Sequence, residues 1–190
     1  MKKVLPIVLL VISFTCLTIT ETFAQNRKFK VHDETSSVWK ALENYYAKTA
    51  EAVINKDLAT TLKFREIVTI ETPDGKIRES AEIAESTKAQ FSLNQNILKI
   101  SNKILSLTTE GDEAVAVVEQ EFSRMQNLAG QLRRVDSRIV QTEIFVKTLE
   151  GWKVTYIVIP RLQERYVDGK RVDPTKPYDP NAPPYTSDVK

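Results

Sequence analysis

Three long β-type runs follow one another between Gly111 and Pro160, and helical segments precede all of them. Short connections join the runs, and the last run begins with the sequence Gly-Trp-Lys-Val at residues 151–154. A chain that places its helices first and a long-stranded antiparallel sheet afterwards has few folds open to it. The order predicts an α+β domain. It indicates a shape rather than an activity, because such folds carry enzymes, carriers and binding modules alike.

The N-terminus has the features of an export signal. Two lysines precede an apolar run from Val4 to about Ile19, and residues 22–24 form a small-residue cleavage pattern. A membrane anchor is the alternative, but Pro6 interrupts the run, which falls short of the roughly 18–20 apolar residues that span a bilayer. We therefore predict a signal peptide over residues 1–24 and an exported protein, periplasmic or secreted, with no membrane attachment after cleavage.

Composition excludes several kinds of site. Cleavage removes Cys16, the single cysteine, so the mature chain has no disulfide, no zinc-thiolate site and no cysteine nucleophile. The net charge of +2 is spread over mixed charges without a basic stripe, which argues against nucleic acid as a partner. The single histidine, His32, lies in a charged stretch and is interpreted as a solvated linker residue. We predict no metal and no cofactor, because no cluster of His, Asp and Glu shows ligand spacing.

Apolar spacing and capping residues define the N-terminal elements. A first helix begins near Ser36, whose hydroxyl can accept an orphan backbone N–H, and Asp57 stands at the cap of a short second helix. A strand and a third helix follow. The predicted bounds are Ser36–Ile54, Leu58–Leu62, Phe64–Thr72 and Ser80–Phe91.

Both faces of the predicted sheet carry apolar residues. In the last strand Trp152, Val154, Tyr156 and Val158 share one face by alternation, and Thr155, Ile157 and Ile159 share the other. The N-terminal helices cover one side, so the other side is predicted to pair with a second copy in a homodimer. The predicted strands are Ile97–Thr108, Glu113–Arg124, Arg134–Leu149 and Trp152–Pro160.

One carboxylate, that of Glu143, is a candidate for acid–base chemistry because of its face on the predicted strand. Glu143 shares its face with Gln141 and Phe145, and burial in a cavity would raise its pKa. Tyr45, Tyr46 and Tyr156 would then donate to a developing oxyanion. The alternative is that Glu143 pairs with Arg124 or Arg138 across neighbouring strands and only stabilises the sheet.

A second charged cluster combines Arg133, Arg134 and Arg138 with Asp136. Converging at a cavity mouth, these arginines would bind a carboxylate or phosphate. The ordinary alternative is a solvated strand end.

The C-terminal part divides into a hairpin and a tail. Residues 161–173 are predicted to form a β-hairpin around Asp168-Gly169, a two-residue turn that needs positive φ. In residues 174–190 prolines recur every three positions, which predicts an extended tail. Its composition indicates disorder, with Tyr178 and Tyr185 as anchors when a partner is bound.

These motifs in this order resemble the nuclear transport factor 2-like (NTF2-like) superfamily, specifically its SnoaL-like branch. The resemblance rests on Asn-Lys-Asp at 55–57, Gly-Asp-Glu-Ala-Val at 111–115 and Gly-Trp-Lys-Val at 151–154, and spans about Val38 to Pro160. It implies a cone over residues 30–160, in which a curved antiparallel sheet wraps around N-terminal helices, with a pocket and frequent dimerisation. Enzymes of the superfamily place Asp, His or Tyr inside the cone. This chain has Tyr156 and Val158 where related sequences often carry histidines.

Three functional classes remain open. The first is an exported module that binds a small, largely apolar ligand in the cone and has no clear catalytic residue. The second is a cofactor-free acid–base enzyme of the isomerase, dehydratase or cyclase type that uses Glu143, and the third is a dimeric interaction module. The predicted ligand-binding residues are Trp39, Tyr45, Tyr46, Gln120, Gln141, Glu143 and Tyr156.

Overall fold

The computed structural model describes residues 29–72 and 74–186, apart from the side chains of residues 159–161. The predicted signal peptide lies outside the described residues. Among those residues, no helix is long and apolar enough to cross a membrane. The helices are α1 (Ser37–Ile54), α2 (Leu58–Phe64) and α3 (Ser80–Leu93). The strands are β1 (Lys30–His32), β2 (Thr69–Glu71), β3 (Ile77–Arg78), β4 (Asn94–Glu110), β5 (Glu113–Leu128), β6 (Gln131–Thr148), β7 (Gly151–Val167) and β8 (Lys170–Val172).

One eight-stranded sheet forms the body of the described chain. Its order is β1-β4-β5-β6-β7-β2-β3, and β8 pairs with the far end of β7. The pairs are antiparallel except that of β2 with β7. The predicted α+β class, with helices before a long antiparallel sheet, is confirmed.

Local side-chain hydrogen bonds explain where the first two helices begin. Ser36 Oγ accepts from the Trp39 N–H at 3.2 Å, and Asp57 Oδ1 accepts from the Thr60 N–H at 3.0 Å. Both residues therefore act as the predicted N-caps. The strand predicted from Phe64 is wrong at its start, because α2 continues through Phe64 and pairing begins only in β2.

The four long strands contain more residues than predicted. β7 continues through Pro160, where the register jumps from the pair Thr142–Val158 to the pair Val140–Leu162. This irregularity accommodates a proline, which has no N–H for the ladder. β7 and β8 then form the predicted hairpin around Asp168, whose φ is +49°, so the hairpin continues the main sheet.

A β-bulge in β7 changes which side chains face the helices. Phe145 pairs with Val154 and Ile144 pairs with Tyr156, so Thr155 is an extra residue. Cross-strand partners lie on the same face, so Tyr156 shares the outer face with Ile144. The predicted alternation is therefore wrong beyond Val154, and Ile157 faces the helices instead of Tyr156.

The main core lies between α1 and the inner face of the sheet, the face that α1 covers. Leu42 and Phe145 at its centre are 0% exposed. The small side chains of Ala114 and Ala116 in β5 allow α1 to approach the sheet closely. Edge-to-face contacts of Tyr45 and Tyr46 with Phe145 fill the remaining space. The cluster includes Trp39, Leu42, Tyr46, Val68, Ile83, Ile104, Leu107, Ala114, Ala116, Val118, Phe145 and Val154.

His32 is part of the sheet. It lies in β1, pairs with Leu107 and is only 8% exposed. Its Nε2 lies 2.8 Å from Thr109 Oγ1. The interpretation as a solvated linker residue is wrong, because the chain before α1 adds a short strand to β4.

The proline-rich segment follows a defined path over the far end of the sheet, in contrast to the disorder that its composition indicates. Arg165 Nη1 donates to the Lys176 carbonyl at 3.2 Å. The Arg133 guanidinium lies 5.5 Å from the centre of the Tyr178 ring, and that of Arg171 lies 5.7 Å from the centre of the Tyr185 ring. We call residues 174–186 the strap.

Candidate functional site

Glu143 lies on the inner face of β6 and is 6% exposed. The Tyr46 hydroxyl donates to its Oε2 at 2.7 Å, and Gln141 Nε2 donates to its Oε1 at 2.7 Å. The alternative of an ion pair with Arg124 or Arg138 is wrong. Arg138 pairs with carboxylates of the outer face, and Arg124 donates to Ser137 and a backbone carbonyl.

Burial controls the protonation of this network. It raises the pKa of Glu143, while the hydrogen bonds from Tyr46 and Gln141 and the charge of Arg65 oppose the rise. Burial also raises the pKa of Tyr46, and the neighbouring carboxyl raises it further, so Tyr46 remains a hydrogen-bond donor. Arg65 Nη1 donates to Thr87 Oγ1 at 2.9 Å, and burial lowers the Arg65 pKa.

A pocket of about 460 Å³ opens beside this network, between α1, α2 and the β6–β7 turn. Tyr45, Phe64, Ile67 and Trp152 form its apolar walls. Three lysines and two glutamates surround them: Lys48, Lys63, Lys153, Glu66 and Glu150. We call this the Tyr45 pocket. Its volume lies within the roughly 300–1,000 Å³ typical of small-molecule sites.

Tyr45 connects the pocket with the buried carboxyl. Its ring packs edge-on against Tyr46, with centroids 5.6 Å apart, and against Phe145 at 5.4 Å. Tyr46 in turn donates to Glu143. The rings of Tyr45 and Tyr46 thus lie between the pocket and the carboxyl, and Glu143 is not among the residues that line the pocket.

A second, more open pocket of about 600 Å³ lies between α2 and α3. Small apolar residues such as Ala59, Ala81 and Ala84 form much of its lining, together with Arg65. Its shallow shape makes it a weaker candidate for a small molecule than the Tyr45 pocket.

The structure brings four of the seven predicted ligand-binding residues together. Tyr45 lines the pocket, and Tyr46, Gln141 and Glu143 form the network behind it. The other three lie apart from the pocket lining. Trp39 is buried in the core with its Nε1 donating to Glu43, Gln120 donates to Asn102, and Tyr156 donates to Glu71 from the outer face.

Sequence reasoning missed Phe64, Ile67 and Trp152 as pocket walls. Phe64 and Ile67 were assigned to a strand that does not form there, which hid their position beside α2. The signal for Trp152 was present in the Gly-Trp-Lys-Val motif, which opens β7 at the pocket.

The arginine cluster predicted around Asp136 does not converge on a cavity. Arg133 pairs with Asp168, Arg134 pairs with Asp136, and Arg138 pairs with Glu119 and Glu164. These contacts fit the alternative of a solvated strand end. Across residues 29–72 and 74–186, no group of three or more His, Cys, Asp or Glu side chains is arranged to hold a metal ion.

Comparison with known proteins gives similarity in structure alone. No protein-family model matches the sequence, and no curated protein matches it. A conserved protein from Planctomyces limnophilus is 14% identical with a TM-score of 0.51, over 64% of this chain and 94% of that one.

Two further solved structures are similar at lower TM-scores. A ketosteroid isomerase-like protein from Erwinia carotovora atroseptica is 14% identical over 69% of this chain and 98% of that one, with a TM-score of 0.48. A nuclear transport factor 2-like superfamily protein from Salmonella enterica is 19% identical over 65% and 90%, also with a TM-score of 0.48. Such likeness concerns the fold and carries no activity. The predicted α+β cone fold is confirmed, with a sheet that is not closed, and the chain is similar in fold to solved nuclear transport factor 2-like proteins.

Proposed function

We propose that this protein binds a small, largely apolar ligand in the Tyr45 pocket. The observation that carries the proposal is an aromatic-walled pocket of about 460 Å³ at the mouth of the domain, next to a buried hydrogen-bonded carboxyl. A ligand binds more tightly when its apolar surface is buried against flat aromatic side chains. The lysines and glutamates of the rim favour a ligand with a polar end that stays near solvent.

Two alanines of α1 provide a matched test of this pocket. Ala41 lines the pocket, whereas Ala47 is exposed on the same helix and does not. In Ala41→Phe the new ring occupies pocket volume, and in Ala47→Phe it points to solvent. The probe is 8-anilino-1-naphthalenesulfonate, an aromatic anion whose fluorescence rises in apolar surroundings.

The wild type and Ala47→Phe are expected to bind the probe equally, and Ala41→Phe to weaken binding at least about tenfold, which corresponds to about 1.4 kcal/mol. Circular dichroism first establishes that the variants are folded. Equal probe binding by all three proteins, or none by the wild type, contradicts the proposal.

Proton transfer by Glu143 is the second candidate function. The raised pKa of Glu143 and the hydrogen bond from Tyr46 favour it, since a buried carboxyl with a pKa closer to neutrality suits an acid or base. A substrate would have to displace the Tyr45 ring to reach the carboxyl. The test is isomerisation of a β,γ-unsaturated ketone, followed by the ultraviolet absorbance of the conjugated product. Turnover that is lost in Glu143→Gln supports this function, and no turnover by the wild type counts against it.

Export is part of the proposed function. The apolar run that follows two lysines, with the small residues Thr22 and Ala24 after it, supports secretion with cleavage after Ala24. The check is N-terminal sequencing of the protein recovered from outside the cytoplasm of its own cells. A first residue of Gln25 agrees with the proposal, and an intact leader on a cytoplasmic protein contradicts it.

We also propose a homodimer through the outer face of the sheet. Val115, which is 37% exposed, and its partner Ile144 lie on this face, where Glu119 and Arg138 form an ion pair farther along the same strands. The check is light scattering of the wild type and of Val115→Lys, with Ala47→Lys at an exposed position of α1, on the opposite side of the sheet, as control. A dimer that Val115→Lys alone makes monomeric supports the proposal, and a monomeric wild type refutes it.

A further inference from the structure

Two arginines share the inner face at the end of the sheet remote from the Tyr45 pocket. Arg124 of β5 pairs with Val135, and Arg165 of β7 pairs with Ser137. Val135 and Ser137 are successive inner-face positions of β6, the strand that lies between β5 and β7. The two long side chains therefore extend from neighbouring rungs of the same surface. We call this pair the arginine site.

Both guanidinium groups are held by neutral partners. Arg124 Nη1 donates to Ser137 Oγ at 3.0 Å, and its guanidinium lies 4.5 Å from the centre of the Phe122 ring. Arg165 Nη1 donates to the Lys176 carbonyl, and its Nε is buried without a hydrogen-bond partner. One buried N–H donor of the pair, that of Arg165 Nε, is thus present without a matching acceptor.

Among the described residues, no carboxylate acts as a counter-ion at the arginine site. In the part of the chain that the structure describes, neither Arg124 nor Arg165 is in ion-pair contact with a carboxylate, in contrast to Arg133, Arg134 and Arg138. The acidic group that acts on Arg124 from a distance is Asp136. Its side chain lies on the outer face, where Ser123 and Arg134 hold it.

Burial makes this arrangement costly. It lowers the pKa of Arg124 to about 10, with a further contribution from the charge of Arg165, and it lowers the pKa of Arg165 as well. Two half-buried like charges without an anion disfavour each other and the folded state. An anion between them would remove both penalties.

The strap closes the surface beside these groups. It contacts Arg165 through Lys176 and Arg133 through Tyr178, so it passes over the strands that carry Val135 and Val167. These two valines pair with each other and are 0% and 2% exposed, although they lie outside the main core cluster. The strap thus lies beside both Arg165 and this buried pair of valines.

We propose that Arg124 and Arg165 bind the anionic group of a small molecule, a carboxylate or a phosphate. The planar fork of a guanidinium matches either group with paired N–H donors, and two forks suit a doubly charged anion. This proposal is independent of the Tyr45 pocket, because the two sites lie at opposite ends of β6.

The experiment measures anion binding by the full mature chain. Malonate and inorganic phosphate are titrated separately by isothermal calorimetry, with ionic strength held constant by sodium chloride. The variants are Arg124→Gln and Arg165→Gln. Lys170→Gln is the matched control, because it removes an exposed positive charge from the start of β8, at the same end of the sheet.

At least one anion is expected to bind the wild type. Each arginine variant is expected to lose about tenfold or more in affinity, the effect of losing charge-assisted hydrogen bonds. Lys170→Gln is expected to change affinity by less than about twofold, since exposed charges are screened. Binding of malonate alone identifies a carboxylate ligand, and binding of phosphate alone identifies a phosphate ligand.

Two results overturn the proposal: no binding of either anion by the wild type, or equal losses in Lys170→Gln and the arginine variants. Circular dichroism is recorded first. If Arg124→Gln does not fold, the test rests on Arg165→Gln, whose hydrogen bond reaches only the strap.

Discussion

Replacing Glu143 with glutamine tests whether its carboxyl is desolvated in the folded protein. Burial raises the folded-state pKa of Glu143 above the ordinary value of 4.5, so the folded state keeps the proton to higher pH than the unfolded chain does. The stabilising effect of the protonated form is fully present below pH 4.5 and is lost as pH rises toward the folded pKa. Over that interval the free energy of unfolding falls by up to about 1.4 kcal/mol per pH unit.

Glu143→Gln removes this pH dependence and keeps an oxygen that accepts from Tyr46. The stability of the variant relative to the wild type is therefore expected to increase as pH rises from 4 to 8. The assay is urea unfolding at each pH unit, and the pH trend of the difference is the result. A constant offset reports other effects of the substitution.

Glu121→Gln is the control of opposite sign. The hydrogen bond and charge of Lys99 lower the pKa of Glu121, so its contribution to stability is present at neutral pH and is lost as pH falls. This variant is expected to lose stability relative to the wild type at neutral pH rather than in acid, by a small amount because the pair is exposed. A difference between Glu143→Gln and wild type that stays flat from pH 4 to 8 refutes the desolvated carboxyl.

Three further perturbations follow from the described contacts. Asp57→Ala removes the acceptor for the Thr60 N–H, and urea unfolding is expected to show a loss of about 1 kcal/mol; an unchanged midpoint contradicts the capping role. Phe145→Ala leaves a void at a position 0% exposed and is expected to cost about 3–5 kcal/mol in the same assay. Truncation after Asp173 removes the strap, and hydrogen exchange is expected to accelerate at Val135 and Val167; unchanged protection there contradicts a covering role.

The sequence was sufficient for features that depend on neighbouring residues. The caps at Ser36 and Asp57 and the turn at Asp168-Gly169 each follow from one residue type that satisfies a local backbone requirement. The alternation that put Glu143 on one face with Gln141 and Phe145 also held, because β5 and β6 pair without a register shift along their whole length.

Features that depend on residues distant in the chain could not be predicted from the sequence. The bulge at Thr155 depends on the register of β7 against β6, and threonine is an ordinary strand residue that gives no warning. Tyr156 therefore lies on the outer face, and Ile157 occupies the inner-face position that was predicted for Tyr156. His32 likewise became buried because a remote strand, β4, accepts β1 at its edge.

The helices pack on one end of the long strands and the strap lies at the other end, and this division affects local unfolding. β6 and β7 run from the helix-covered core to the strap, yet Val135 and Val167 have no part in the cluster around Phe145. Two centres of packing thus share one hydrogen-bonded ladder. Fluctuations that release the strap can unzip the remote ends of β6 and β7 while the helical half stays intact, so ligand exchange there would need only local unfolding.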